Sequence, residues 1–288
     1  MAHLTKRQHN VPAFYLRLWS PQGKDKVACH DLEDGKSFDV SPDGILARRF
    51  FYEEDPSAPD NRIENLLSQM EGQCSSHFQN LHRLPIATVR PSSEQSPLNL
   101  TRQALSPETC TAIKTFAAFQ YLRVPGAIDQ KRYELKTTSL SVDQKDYLLN
   151  AGRFVESGFS YVHKRFQALK LLVMLSTGQD FITSDWPCFD LKDSDSSPLL
   201  GEEIGTNPEV VAYLPLTPRL AAVLYPSHHS LENGSHLAPP VHVIACSDSI
   251  VRNQNTLVIQ QADRFVVSSQ QRSFVFSVAS KRKKSRNP

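Results

Sequence analysis

Apolar residues recur at helical spacing in the first half of the chain and gather into short strand-like runs in the second, and no other feature constrains the fold as much. Ile63, Leu66, Leu67, Met70, Cys74, His77, Phe78 and Leu81 predict a helix over residues 61–84, ended by Pro85. Ser106-Pro107-Glu108-Thr109 reads as a helix start, with a capping serine and a proline in the first turn. That helix carries Ile113, Phe116, Ala117, Phe119, Gln120 and Leu122, and it stops before Pro125-Gly126. Two more helices are expected over residues 129–149 and 154–175. At the start of the chain, Pro12 suits the first turn of a short helix, and Asp34-Gly35 suits a hairpin turn between residues 26–30 and 36–40. Beyond residue 178 the pattern shortens. Residues 179–184, 210–216, 220–225, 264–269 and 273–278 read as strands, with one helix over 247–261. The expected class is α+β: a helix-rich N-terminal half packed on a mostly antiparallel sheet from the C-terminal half plus the N-terminal hairpin. Residues 1–278 are expected to form one domain and residues 279–288 a basic disordered tail.

Composition narrows the class without naming a function. A chain of 288 residues, 40% hydrophobic and 22% charged, is ordinary for a globular protein and long enough to bury a substantial core. A net charge of +2 is too small to argue for nucleic acid by itself. Much of the excess sits in Lys281, Arg282, Lys283, Lys284 and Arg286. The five cysteines are odd in number, widely spaced and free of CxxC pairs, which argues against a disulfide scaffold and a cysteine zinc site. No apolar run approaches the ~20 residues of a membrane helix, and residues 1–10 lack a signal-peptide core. The expectation is a cytoplasmic protein with no membrane partner; the oligomeric state stays open.

Polar residues in apolar settings mark the candidate site, because a buried polar group is costly unless it is paired or used. Glu64 and Glu71 lie seven residues apart, nearly two turns, so both point to one helix face. Two carboxylates so placed can hold a divalent cation, provide a general base, or line a solvated helix edge. Asp185, in Ser184-Asp185-Trp186-Pro187 after an apolar strand, is a further ligand or histidine-orienting group, or simply a turn residue with Ser184. Ser184 lacks a nucleophile elbow around it. His9 suits a base, a metal ligand, a phosphate contact or a helix cap. Arg123, one turn beyond Gln120, can grip a phosphate or neutralise a glutamate. Tyr15 and Tyr52 read as core residues with one bonded hydroxyl each or as substrate contacts, and Asn255 and Arg264 are second-rank candidates.

Taken in order, these pieces resemble a bacterial family catalogued as a domain of unknown function, DUF4238. The resemblance rests on His9-x-Val11-Pro12-x-Phe14-Tyr15-Leu16, Phe51-Tyr52, Ile63-Glu64 with Met70-Glu71, and Gln120-x-x-Arg123-x-Pro125. It continues through Phe181-Ile182-Thr183-Ser184-Asp185-x-Pro187, Leu214-Pro215-Leu216-Thr217-Pro218, and Asn255 followed by Ala262-Asp263-Arg264-Phe265-Val266-Val267. Trp186 stands where the family is more often polar. The resemblance implies an arrangement of parts, not an activity.

Three functions fit these residues. The first is a hydrolase of a phosphate ester or nucleic acid, of which a defence or toxin-type nuclease is one form. In it Glu64, Glu71 and Asp185 hold Mg²⁺ or Mn²⁺, His9 moves a proton, Arg123 steadies phosphate charge, and Tyr15, Tyr52, Gln120, Ser184, Asn255 and Arg264 contact substrate. The second is a non-enzymatic protein in which the same residues form a structural network and a partner or ligand is bound. The third is an NAD-dependent ADP-ribosyl-type transferase, compatible with a His, a Tyr and a Glu arriving in that order.

Overall fold

The computed structural model describes residues 5–21, 24–53, 55, 57–83, 100–101, 105–125, 151–190, 211–227 and 242–270. In chain order the elements are β1 (Arg7–His9), α1 (Ala13–Leu16), β2 (Val27–Asp31), β3 (Lys36–Val40), β4 (Ala47–Arg49), α2 (Arg62–His82), β5 (Leu100–Thr101) and α3 (Pro107–Leu122). They continue with α4 (Ala151–Ala168), β6 (Lys170–Ser176), β7 (Thr183–Ser184), β8 (Phe189–Asp190), β9 (Ala212–Thr217), β10 (Leu220–Tyr225), β11 (His242–Cys246), α5 (Asp248–Gln261) and β12 (Phe265–Ser268). The strands form a six-stranded sheet in the order β5-β11-β6-β10-β9-β8, a four-stranded sheet β3-β2-β12-β7, and a ribbon of β1 and β4. Every pairing is antiparallel except β11 with β6. The fold is α+β.

The central strand β6 divides the core. Leu171, Val173 and Leu175 face one apolar cluster with Phe78 of α2, Phe116 of α3 and Phe166 of α4. Leu172 and Met174 face a second with Val251 and Val258 of α5. Period-two alternation thus sends neighbouring side chains to opposite cores. This arrangement corrects the expected helix over residues 154–175: α4 ends at Ala168 and the chain turns directly into β6. A strand covered on both faces is a continuous apolar run, which has no alternation to separate it from a helix.

Local chemistry accounts for the other elements. In α2 the buried residues Ile63, Leu67, Cys74, Phe78 and Leu81 form one stripe. Phe78 meets Phe116 at 4.7 Å between ring centroids. Ser106 Oγ accepts the Thr109 N–H, capping α3. Gly35 takes φ +68° in the β2–β3 turn, a conformation that costs glycine little. The hairpin joins β12 and β7 rather than the larger sheet.

The expected strand over residues 179–184 contracts to β7, because Asn255 of α5 takes the Ile182 N–H that a ladder would use. Strands β1, β4 and β11 had no sequence expectation; three to five residues give alternation little room. The expected helix over 129–149, the strand over 273–278 and the basic tail lie outside the described residues. Among the described residues no helix is long and apolar enough to cross a membrane.

Candidate functional site

The C-terminal end of α3 meets the N-terminal half of α2 beneath β1. Phe116, Gln120 and Arg123 follow one another at helical spacing on α3. Phe116 packs on Phe14 and Phe78, and Arg123 reaches Glu71. Gln120 therefore lies on the stripe between them.

Arg123 is only 1% exposed, and each part of its guanidinium is engaged. Nη1 donates to Glu71 Oε1 at 2.5 Å, Nε donates to the Tyr52 hydroxyl at 3.1 Å, and Nη2 donates to the His9 carbonyl. The Tyr52 hydroxyl donates to the same carbonyl at 3.2 Å. Burial lowers the affinity of Arg123 for its proton, but Tyr52 and Glu71 outweigh it, so the guanidinium stays charged. A buried cation is stable only when paired and bonded in this way.

A clip on the other side fixes Tyr52. The Gln8 side chain accepts the Tyr52 N–H at 2.7 Å and donates to Glu53 Oε1 at 2.6 Å; Glu53 Oε2 accepts the Asp60 N–H at 2.9 Å. Gln8 and Glu53, both buried, had no place among the sequence candidates. Adjacency of Gln8 to His9 was their only signal.

Around this bonded centre three polar side chains have atoms left over. His9 Nε2, Glu64 Oε2 and both amide atoms of Gln120 are buried without a hydrogen-bond partner. Burial, reinforced by Arg123, lowers the His9 pKa, so the imidazole is neutral at pH 7. Burial raises Glu64 to about 7; Arg123 opposes the shift, while Glu71 and Glu53 add to it. His9 and Glu64 both feel the charges of Arg123 and Glu71, and a carboxyl that titrates near neutrality can exchange protons with another group.

The remaining candidates lie elsewhere. Asp185, next to β7, accepts three backbone N–H bonds from the α5–β12 turn. Its Oδ1 takes Asp263 at 2.9 Å, and its Oδ2 takes Arg264 at 2.7 Å and Phe265 at 2.8 Å. Burial raises Asp185 to about 6 against these bonds. Arg264 binds Asp31 Oδ2 through Nε at 2.9 Å and Nη2 at 2.7 Å, tying β12 to the end of β2. Asn255 clips the segment before β7, accepting from Ile182 N and donating to Asp180 O. Ser184 Oγ bonds the Trp186 backbone, and the fully buried Tyr15 hydroxyl bonds Thr183 Oγ1 and the Pro215 carbonyl.

The structure therefore gathers His9, Tyr52, Glu64, Glu71, Gln120 and Arg123, and leaves Tyr15, Ser184, Asp185, Asn255 and Arg264 holding sheet and turn together. The three expected carboxylates are not brought together. Among the described residues no three His, Cys, Asp or Glu side chains are grouped to hold a metal ion, so Glu64, Glu71 and Asp185 make no such site. Asp185 spends both oxygens on backbone amides instead.

The family model described as "Protein of unknown function (DUF4238)" matches residues 7–272. No curated protein and no solved structure matches the chain.

Proposed function

The chain belongs to the DUF4238 family across residues 7–272, and on that premise we propose that it is a hydrolase of phosphate esters in which Glu64 transfers the proton. The observation that supports this reading is the set of buried, unpartnered polar atoms on His9, Glu64 and Gln120 around one bonded guanidinium. Buried polar groups without partners are uncommon in native proteins, and a bound group supplies what they lack. Glu64, raised to about 7, matches the proton affinity that general acid–base work needs at neutral pH. His9 presents a neutral imidazole nitrogen to the same reaction. Gln120 offers one donor group and one acceptor to a polar substrate.

Arg123 and Glu71 are positioning residues in this reading. Arg123 is neutralised by Glu71 and fixes the backbone of His9, so its charge is already committed. The reading needs no divalent cation, since Glu71 is bonded to Arg123 and Asp185 to the α5–β12 turn.

The test is hydrolysis of p-nitrophenyl phosphate, bis-p-nitrophenyl phosphate and single-stranded oligonucleotides. Glu64→Gln should lower kcat by about 10²–10⁴-fold, the range of general acid–base catalysis. EDTA should leave the wild-type rate unchanged. Wild-type protein inert toward every one of these substrates, or Glu64→Gln protein as active as wild type, would overturn the proposal. The competing reading, a structural network in a partner-binding protein, draws on the mutual bonding of Arg123, Glu71 and Tyr52. It predicts an inert wild type.

A further inference from the structure

We infer that the β1–β4 ribbon holds the phosphate backbone of a single-stranded nucleic acid and delivers it to the cluster around Glu64. The inference rests on the phosphate-ester reading and names its substrate class. Net charge over the whole chain is only +2. The ribbon concentrates that sign. Lys6, Arg7, Arg48 and Arg49 are all exposed, and among the described residues none of them makes an ion pair.

Register makes the placement costly. Arg7 pairs directly with Arg49 across the two strands. Like charges placed opposite each other destabilise an antiparallel pair, so two arginines here work against the fold unless an anion joins them. His9 lies two residues along from Arg7, opposite Ala47, and therefore on the same face of the ribbon. One face thus runs from two guanidinium groups without an ion pair among the described residues, that of Arg7 donating to the Gly44 carbonyl, to the imidazole whose Nε2 has no partner.

Two further observations fit a single strand. The Arg49 guanidinium lies 5.2 Å from the centroid of the Phe50 ring, whereas Arg48, opposite Gln8, belongs to the other face of the ribbon. Cations interleaved with aromatic rings are what tracks a backbone and stacks exposed bases. The turn residues on either side of β4, Leu46 and Phe50, take φ +54° and +50°. Bulky residues rarely adopt that region, and such backbone strain concentrates at functional sites. Phosphate charge that Arg123 cannot take is thereby left to Arg7 and Arg49.

The experiment is fluorescence anisotropy with labelled 12-nucleotide single-stranded RNA, the matching single-stranded DNA and a DNA duplex, each across a salt series. The proteins are the Glu64→Gln variant and the same variant with Arg7→Gln and Arg49→Gln added, so that nothing is cleaved. The single strands should bind more tightly than the duplex; the RNA and DNA arms decide which single strand is preferred. The double arginine variant should keep its melting temperature, since like-charge repulsion is relieved. Its slope of log affinity against log salt should be shallower by about 1.4, two contacts at about 0.7 each. Absence of single-strand binding at low salt, tighter duplex binding, or an unchanged slope in the arginine variant would overturn the inference. Binding without cleavage by the protein that retains Glu64 would sink the hydrolase and leave the ribbon standing. Cleavage of p-nitrophenyl substrates without the slope change would do the reverse.

Discussion

At the junction of α2 and α3, Arg123 is wholly bonded, yet His9, Glu64 and Gln120 beside it keep buried atoms without partners. At the junction of β7 and β12, Asp185, Asn255, Ser184 and Arg264 are equally polar, and each side chain ends on a protein partner. The sequence treats the two groups alike: scattered polar residues in apolar surroundings. The difference lies in what burial leaves over. A network that consumes its own donors and acceptors fixes a turn or a strand. One that does not has capacity for another molecule.

Substitutions can break this contrast. The largest effect is expected at Arg123→Met, which leaves Glu71, the Tyr52 hydroxyl and the His9 carbonyl without their donor. Breaking a buried pair from one side costs about 3–5 kcal/mol, read by equilibrium urea unfolding. A loss below about 1 kcal/mol would place this pair among solvated ones. Next, Asp185→Asn sets an NH₂ group against backbone N–H donors, leaving at least one unsatisfied at about 1–3 kcal/mol. Its kcat should stay near wild type at temperatures where it is folded. Lost activity with retained stability would move Asp185 from scaffold to site.

The finest test separates the regions by pH. The folded-state pKa of Glu64 is raised from 4.5 to about 7. Folding therefore takes up a proton in that window. The stabilisation is complete below pH 4.5 and is lost as pH rises through 7. Glu64→Gln lacks this loss, so melting curves should show the variant gaining on wild type between those limits. Parallel curves would mean that Glu64 is solvated.

The helical spacing of α2 and the Ser106–Pro107 start of α3 were legible because their signals are local: an apolar stripe, a cap and a proline. So was the shared face of Glu64 and Glu71, which follows from helix geometry alone. The β1–β4 ribbon was not legible, since Arg7 and Arg49 are adjacent only through a pairing of 42-residue separation that no local pattern announces. Gln8 and Glu53 escaped for the same reason.

The amino-acid order by itself determined where α2 and α3 form, which of their hydrophobic positions are interior, and that polar groups lie among them. Only the tertiary structure decided which of those groups face one another. Side-chain period is a property of neighbouring residues, whereas satisfaction of a buried donor depends on what the rest of the chain brings within about 3 Å of it. That is why Asp185 and Glu64 look equivalent in the sequence and have opposite fates in the fold, one bonded to three backbone amides and one left with a carboxyl oxygen to spare.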